Sequence, residues 1–236
     1  MTDTKIQIDL GCGTAKRPGH VGLDMYEMPG VDYVLDLTSE PFPFEDDSVD
    51  GVFSSHFLEH IEEPNHVFSE IGRVCRDGAR IEFWTPYAWT NDAFLYGHLH
   101  SITEEMWNQI CLSHRDAYVP MVGGRWVLRR FVYVIQQPIL DDLRGRDIDL
   151  DFALRYYKGV VHEMGVELEY RSDLDAPVLV PERMYATERF GPRVPVSATV
   201  PSIRDEARAL VSTTAARSRA LTSRVVRAAR RRIGAT

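Results

Sequence analysis

Ile6-Gln7-Ile8-Asp9-Leu10-Gly11-Cys12-Gly13-Thr14-Ala15 decides how the chain is read, because an apolar strand there runs straight into a loop with paired glycines. Ile6, Ile8 and Leu10 alternate with Gln7 and Asp9, the period-2 pattern of a strand. At Gly11 and Gly13 the missing Cβ lets backbone approach a ligand closely. A plain tight turn can use the same residues, so the loop takes its meaning as a nucleotide-type cofactor loop from the acidic strand ends downstream of it.

Two further short apolar runs end in acids: Val21-Gly22-Leu23 before Asp24, and Tyr33-Val34-Leu35 before Asp36. In doubly wound α/β folds, a carboxylate ending the second strand accepts hydrogen bonds from the ribose of a bound nucleoside. A fourth strand, Val49 to Phe53, lies inside PFPFEDDSVDGVFSSHFLEHI at 41–61. Val67, Phe68, Ile71 and Val74 then come at helical spacing, with Asp77-Gly78 as a stop. Ile81 to Trp84 reads as a fifth strand closed by Thr85-Pro86.

In this order, residues 8–13, Asp24, Asp36-Leu37, residues 42–61 and Arg73 to Ile81 resemble the class I S-adenosylmethionine-dependent methyltransferases, and among them the type 11 family, over roughly residues 5–115. The resemblance implies an α/β fold with a doubly wound, mostly parallel seven-stranded sheet of the Rossmann-like methyltransferase kind. It also implies a donor-binding set. Asp9, Gly11, Cys12 and Gly13 would serve the methionine end, Asp24 the ribose, and Asp36 with the Leu37 backbone the adenine edge. Ser54 and Ser55 end the fourth strand, where family members turn backbone carbonyls to the methionine part. The rival cofactor is NAD, whose fingerprint has a third glycine three residues after the second, so that a helix can turn its N-terminus to pyrophosphate. Position 16 is Lys, and S-adenosylmethionine has no phosphate to satisfy.

Only ten residues separate Gly13 from Asp24, whereas a crossover helix with its strand needs a dozen or more. The first helix is therefore expected to be lost or reduced to a turn near Lys16 to Gly19. Small type 11 relatives with a similarly compressed loop are often encoded with sugar-polymer genes, and this part of the resemblance bears on the acceptor.

With 236 residues, 44% of them hydrophobic and 26% charged, the chain has the composition of a core-forming domain. Cys12, Cys75 and Cys111 are odd in number and lack disulfide or metal spacing. A glycine loop this near Met1 leaves no room for a leader, and no apolar run reaches the roughly 18 residues of a membrane span. A reduced, cytoplasmic location is expected. Between Arg204 and Thr236 nine Arg face only Asp205 and Glu206, a net +7 that leaves −15 for the rest of the chain. So acidic a body disfavours nucleic acid as a partner. Three Lys against 24 Arg suit a GC-rich, actinobacterial coding sequence.

The expected organisation is a methyltransferase domain over 1–176, a proline-rich linker or strap over 177–202 and a basic helical tail over 203–236. The tail is a candidate for peripheral contact with anionic membrane, and a homo-oligomer is a further expectation. Trp126 to Gln136 reads as β-rich, Leu150 to Glu163 as a helix and Val166 to Tyr170 as the last strand.

Methyl transfer is an in-line displacement, so alignment and exclusion of water come first. A hydroxyl acceptor additionally calls for a general base or a metal. His56, at the end of the fourth strand, is the first candidate base. His98 and His100 are the next candidates, in the substrate-side loop NDAFLYGHLHS at 91–101. Glu59-His60 reads as ordering its loop. Mg²⁺ is carried as an additional cofactor candidate, with Glu40, Glu59, Asp92 and Glu104 as oxygen donors. Trp84, Tyr87, Trp89, Tyr96 and Trp107 fall near the expected mouth, and aromatic faces stack on pyranose rings. Where nucleobase amino-methyltransferases carry Asn/Asp-Pro-Pro-aromatic, this chain has Ser54-Ser55-His56-Phe57. The resulting expectation is an O-methyltransferase of a sugar or glycan hydroxyl, an actinobacterial methylated polysaccharide included. The alternatives are O- or C-methylation of a lipid or natural product, and a non-catalytic lipid- or RNA-binding module acting through the tail.

Overall fold

The computed structural model describes residues 5–196. Nine strands form one sheet: β1 (Gln7–Leu10), β2 (Val21–Asp24), β3 (Tyr33–Val34), β4 (Val49–Ser55), β5 (Cys75–Pro86), β6 (Arg125–Val134), β7 (Glu163–Arg171), β8 (Glu182–Ala186) and β9 (Val194–Pro195). Their spatial order is β3-β2-β1-β4-β5-β7-β6-β8-β9. β3 to β5 run parallel, β7 is antiparallel to both β5 and β6, and β8 lies parallel to β6. This is the expected order of a mostly parallel Rossmann-like sheet, with two strands added beyond β6.

Between β1 and β2 there are only turns, as the short spacing requires. The N–H groups of Gly11 and Cys12 both donate to the Leu23 carbonyl, at 2.9 and 3.2 Å, so the glycine loop leans directly on β2. Helices α1 (Asn65–Val74), α2 (Glu104–Asn108), α3 (Arg115–Val122), α4 (Gln137–Gly145) and α5 (Leu150–Tyr156) come later in the chain. Alternation along the strands divides the sheet into two unlike faces. Ile8, Leu10, Ile81, Phe83, Val166 and Leu168 join the helices in one large core. On the other face Phe53, Trp84, Val132 and Val134 form a small cluster, beside ion pairs from Arg130 to Glu167 and Glu182. Loops cover part of this second face: Arg17 stands 4.4 Å over the Phe53 ring and Arg193 5.3 Å over Trp84.

Trp84 lies flat on Gly165, where a Cβ would come within 2.5 Å of the indole. Gly165→Ala is thus expected to push the fully buried Trp84 off its seat and to cost about 1–3 kcal/mol, the range for overpacking. A lowered melting temperature without loss of the folded circular dichroism spectrum checks this.

Three boundaries differ from the sequence reading. The helix expected from Leu150 to Glu163 stops at Tyr156, because the chain turns at Gly159 (φ +78°), and Glu163 opens β7 instead. The fifth strand begins at Cys75, so Asp77-Gly78 is inside it, with Gly78 at φ +85°. Residues 177–196 contribute β8 and β9 to the sheet, and their prolines sit outside β8. Residues 197–236, including the basic tail read as helical, lie outside the described residues. Among the described residues no helix is long and apolar enough to cross a membrane.

Candidate active site

At the carboxyl end of the parallel strands a cavity of about 290 Å³ is lined by Gly11, Asp24, Asp36, Leu37, His56 and His60, among others. Gly11 has φ +64°, and a Cβ on it would strike the Phe57 ring at 2.5 Å, so this wall requires glycine. Asp24 is buried, and it ties the loop to the strand end. Its Oδ2 accepts the Gly13 N–H at 2.9 Å and its Oδ1 the Tyr26 N–H at 3.0 Å. An ionised carboxylate has about four lone-pair sites, so two remain for a ligand. Asp36 accepts from the Thr38 N–H and hydroxyl through Oδ1 and from the Ser39 hydroxyl through Oδ2. These bonds, led by that from the Thr38 hydroxyl, hold its pKa below the usual carboxylate range. Its side chain thus caps its own turn at the cavity wall.

A second cavity, of about 180 Å³, shares Gly11 and adds Asp9, Cys12, Arg17, Ser55, Arg189 and Phe190. Asp9 is 2% exposed. Burial pushes its carboxyl up to about 6 against the pull of the Arg17 N–H, which it accepts at 2.7 Å. Ser54 points the other way: it is buried, and its hydroxyl donates to the Leu10 carbonyl at 3.0 Å, stitching β4 to β1. Ser55 accepts from Arg189 at 2.6 Å. Arg189 and Phe190 were invisible as site residues in the sequence, because they belong to the proline-rich segment and match no motif.

His56 occupies left-handed backbone, φ +53°. Its Nε2 is 3.1 Å from Glu163 Oε2 and its Nδ1 3.2 Å from Glu59 Oε1. The bonds to Glu163 and then Glu59 raise its pKa to about 9, outweighing its burial. Glu163 is held down to about 2, since bonds from His56 and Arg189 overcome the opposing effect of burial. Both ring nitrogens of His56 thus face carboxylates, which favours the protonated imidazolium. In that form it has no lone pair to offer, which weighs against the expected role as general base.

His98 packs edge-on to His60, ring centres 4.6 Å apart, and so comes close to the donor cavity. His100 is exposed and donates through Nε2 to the Glu62 carbonyl at 3.0 Å. The oxygen donors considered for Mg²⁺ are dispersed. Glu104 receives the Tyr87 and Tyr133 hydroxyls at 3.0 and 2.7 Å, Asp92 pairs with His162 at 3.1 Å, and Glu40 accepts the Asp36 N–H at 2.8 Å. Of the aromatic residues expected at the mouth, Trp84, Tyr87 and Trp107 are core, whereas Trp89 and Tyr96 are exposed together with Phe94, Leu95 and Leu99.

Residues 25–83 match the type 11 family model described as a methyltransferase domain. That match, the strand order and the glycine loop all agree with the resemblance to class I S-adenosylmethionine-dependent methyltransferases. No curated protein matches the chain in sequence. Similar solved structures include an S-adenosylmethionine-dependent methyltransferase from Mesorhizobium loti, at 16% identity and TM-score 0.44, covering 72% of this chain and 93% of that one. Another, from Archaeoglobus fulgidus, has 15% identity and TM-score 0.46, covering 70% and 86%. A third is the geranyl diphosphate C-methyltransferase of Streptomyces coelicolor A3(2), solved with Mg²⁺, geranyl diphosphate and S-adenosyl-L-homocysteine; it has 17% identity and TM-score 0.41, covering 71% and 74%.

Proposed function

We propose that the protein is an O-methyltransferase that uses S-adenosylmethionine to methylate a sugar or glycan hydroxyl. The observation that carries the donor half is the convergence of Gly11, Asp24 and Leu37 on one cavity, which shares its Gly11 wall with a second cavity lined by the buried Asp9. A buried acid with a raised pKa is ready to gain from a cationic partner such as the donor's ammonium. When bound, the donor supplies a methyl group on a sulfonium sulfur. The chain's own part is to hold it: Asp24 by the ribose, the Leu37 backbone by the adenine edge, Asp9 and the glycine loop by the methionine end. Trp89 and Tyr96 support the glycan half, because they stand exposed on the loop that carries His98 and His100 and offer faces for a pyranose. Phe94, Leu95 and Leu99, exposed on the same loop, favour as second reading a lipid or natural-product hydroxyl.

The test is transfer of labelled methyl from the donor into a panel of free sugars, oligosaccharides and lipid-linked hydroxyl compounds. Label in an ether on a sugar ring supports the glycan reading. Label confined to non-sugar acceptors overturns it in favour of the second. His98→Ala and His100→Ala should lower turnover while keeping donor affinity within a few-fold.

Donor binding should also depend on pH. Asp9 must be ionised to pair with an ammonium, so affinity for S-adenosylhomocysteine should fall about tenfold from pH 7 to pH 5 as the carboxyl protonates through about 6. Folding responds with the opposite sign. An acid whose pKa is raised in the fold destabilises the native state when charged, so this contribution relaxes as pH drops from about 6 towards the unfolded value of 3.8. Calorimetry across this range, with Asp9→Asn expected to flatten the profile, checks both halves.

A further inference from the structure

Glu59, His60 and His98 each bring a metal-ligating atom within 4.8 Å of the others, the one such group of His, Cys or acidic side chains among the described residues. We propose that they form a binding site for a divalent transition metal ion of the zinc class, beside the donor cavity.

Two buried polar groups point to a ligand there. Glu59 is 1% exposed; its Oε1 is paired with His56 at 3.2 Å, but its Oε2 has no partner. Nδ1 of His98 is buried and also lacks a partner. Buried polar atoms are almost always satisfied, by protein, water or an ion. His60 is set up as a ligand in the usual way: its Nδ1 donates to the Gly97 carbonyl at 3.0 Å, which fixes the tautomer and leaves the lone pair on Nε2.

The two segments are also held in place by backbone. The N–H of Leu99 donates to the Glu59 carbonyl at 2.6 Å, and that of His100 reaches the same oxygen at 3.4 Å. Residues about forty positions apart are thereby clamped together independently of their side chains. A tetrahedral zinc sets its ligand atoms about 3.4 Å apart, so closing the group takes side-chain rotation of about an ångström, within reach of the half-buried His98 on its loop.

Two imidazoles and one carboxylate suit Zn²⁺ and its neighbours, whereas Mg²⁺ prefers oxygen donors throughout. Three protein ligands leave a coordination position open. His60 also lines the donor cavity. An acceptor hydroxyl bound at that position would be acidified, a role that rests on the methyltransferase reading as the metal site itself does not.

The experiment uses the full chain, stripped with a chelator and dialysed, and titrated with Co²⁺ while visible ligand-field absorption is followed. One equivalent of Co²⁺ with such bands, displaced by Zn²⁺ and not by excess Mg²⁺, is the expected result. His98→Ala should weaken that binding at least tenfold, and His60→Ala provides a second variant if the first fails to fold by circular dichroism. Absence of uptake by the stripped protein, or unchanged uptake in the folded variants, overturns the site. Calorimetry with S-adenosylhomocysteine on the same sample separates the two readings. Binding without Co²⁺ uptake removes the metal site alone, whereas Co²⁺ uptake without binding removes the donor assignment and leaves the metal site standing.

Discussion

Asp24→Ala is expected to weaken S-adenosylhomocysteine binding by ten- to a hundredfold or more. A hydrogen bond to a charged group contributes about 1.5–3 kcal/mol, which corresponds to that range of affinity. The structure adds a reason for the upper end. The same carboxylate holds the Gly13 and Tyr26 N–H groups, so its removal also loosens the wall that faces the methionine end. Asp24→Asn separates the two contributions, since an amide oxygen can still accept the Gly13 N–H while the negative charge is gone. Calorimetry of the three proteins, with thermal melts as a control for folding, is the measurement. Unchanged affinity in Asp24→Ala would remove the ribose role.

The part of this molecule that was legible in advance is the part governed by local rules. Ile8 and Leu10 alternate into the glycines, and the strands they predict are there. Counting the residues from Gly13 to Asp24 was enough to delete a helix, because the limit is chain length. Where the outcome depended on distant partners, the sequence was silent. His56 stands at a strand end, where a base would be placed, but its protonation is set by Glu163, 107 residues on, and by the turn that brings in Glu59. Ser54 and Ser55 differ by one position, so the pleat sends the first to the core and the second to Arg189. Trp84, Tyr87 and Trp107 carried the same aromatic signal as Trp89 and Tyr96, and only burial tells the two groups apart. The prolines of 177–196 disguised β8 and β9: Pro181 and Pro192 lie outside β8 and leave its ladder on β6 intact, and Pro195 ends the short strand β9.

That added strand is the basis for the largest expected loss of stability. Asp151→Ala should destabilise the fold by about 3–5 kcal/mol, the range for removing one partner of a buried ion pair. Asp151 is fully buried at the start of α5, just after the Asp149 cap, and accepts from Arg155 at 3.0 Å and from Arg183 of β8. Arg183 is itself 4% exposed and otherwise donates to the Tyr133 hydroxyl, at 3.2 Å. Tyr133 in turn donates to Glu104, which also takes the Tyr87 hydroxyl. Removing the carboxylate leaves a buried guanidinium with a neutral phenol in its place, and the imbalance is passed to α2 and to the end of β5, where the loop bearing His98 begins. Urea denaturation should show a lower midpoint with little change in slope. Replacing both partners by apolar residues, Asp151→Leu with Arg183→Met, should recover much of the loss, since an apolar pair of similar volume has no charge to desolvate. If the single variant cost less than about 1 kcal/mol, the range of an exposed pair, β8 would have to be held on β6 by its backbone ladder alone.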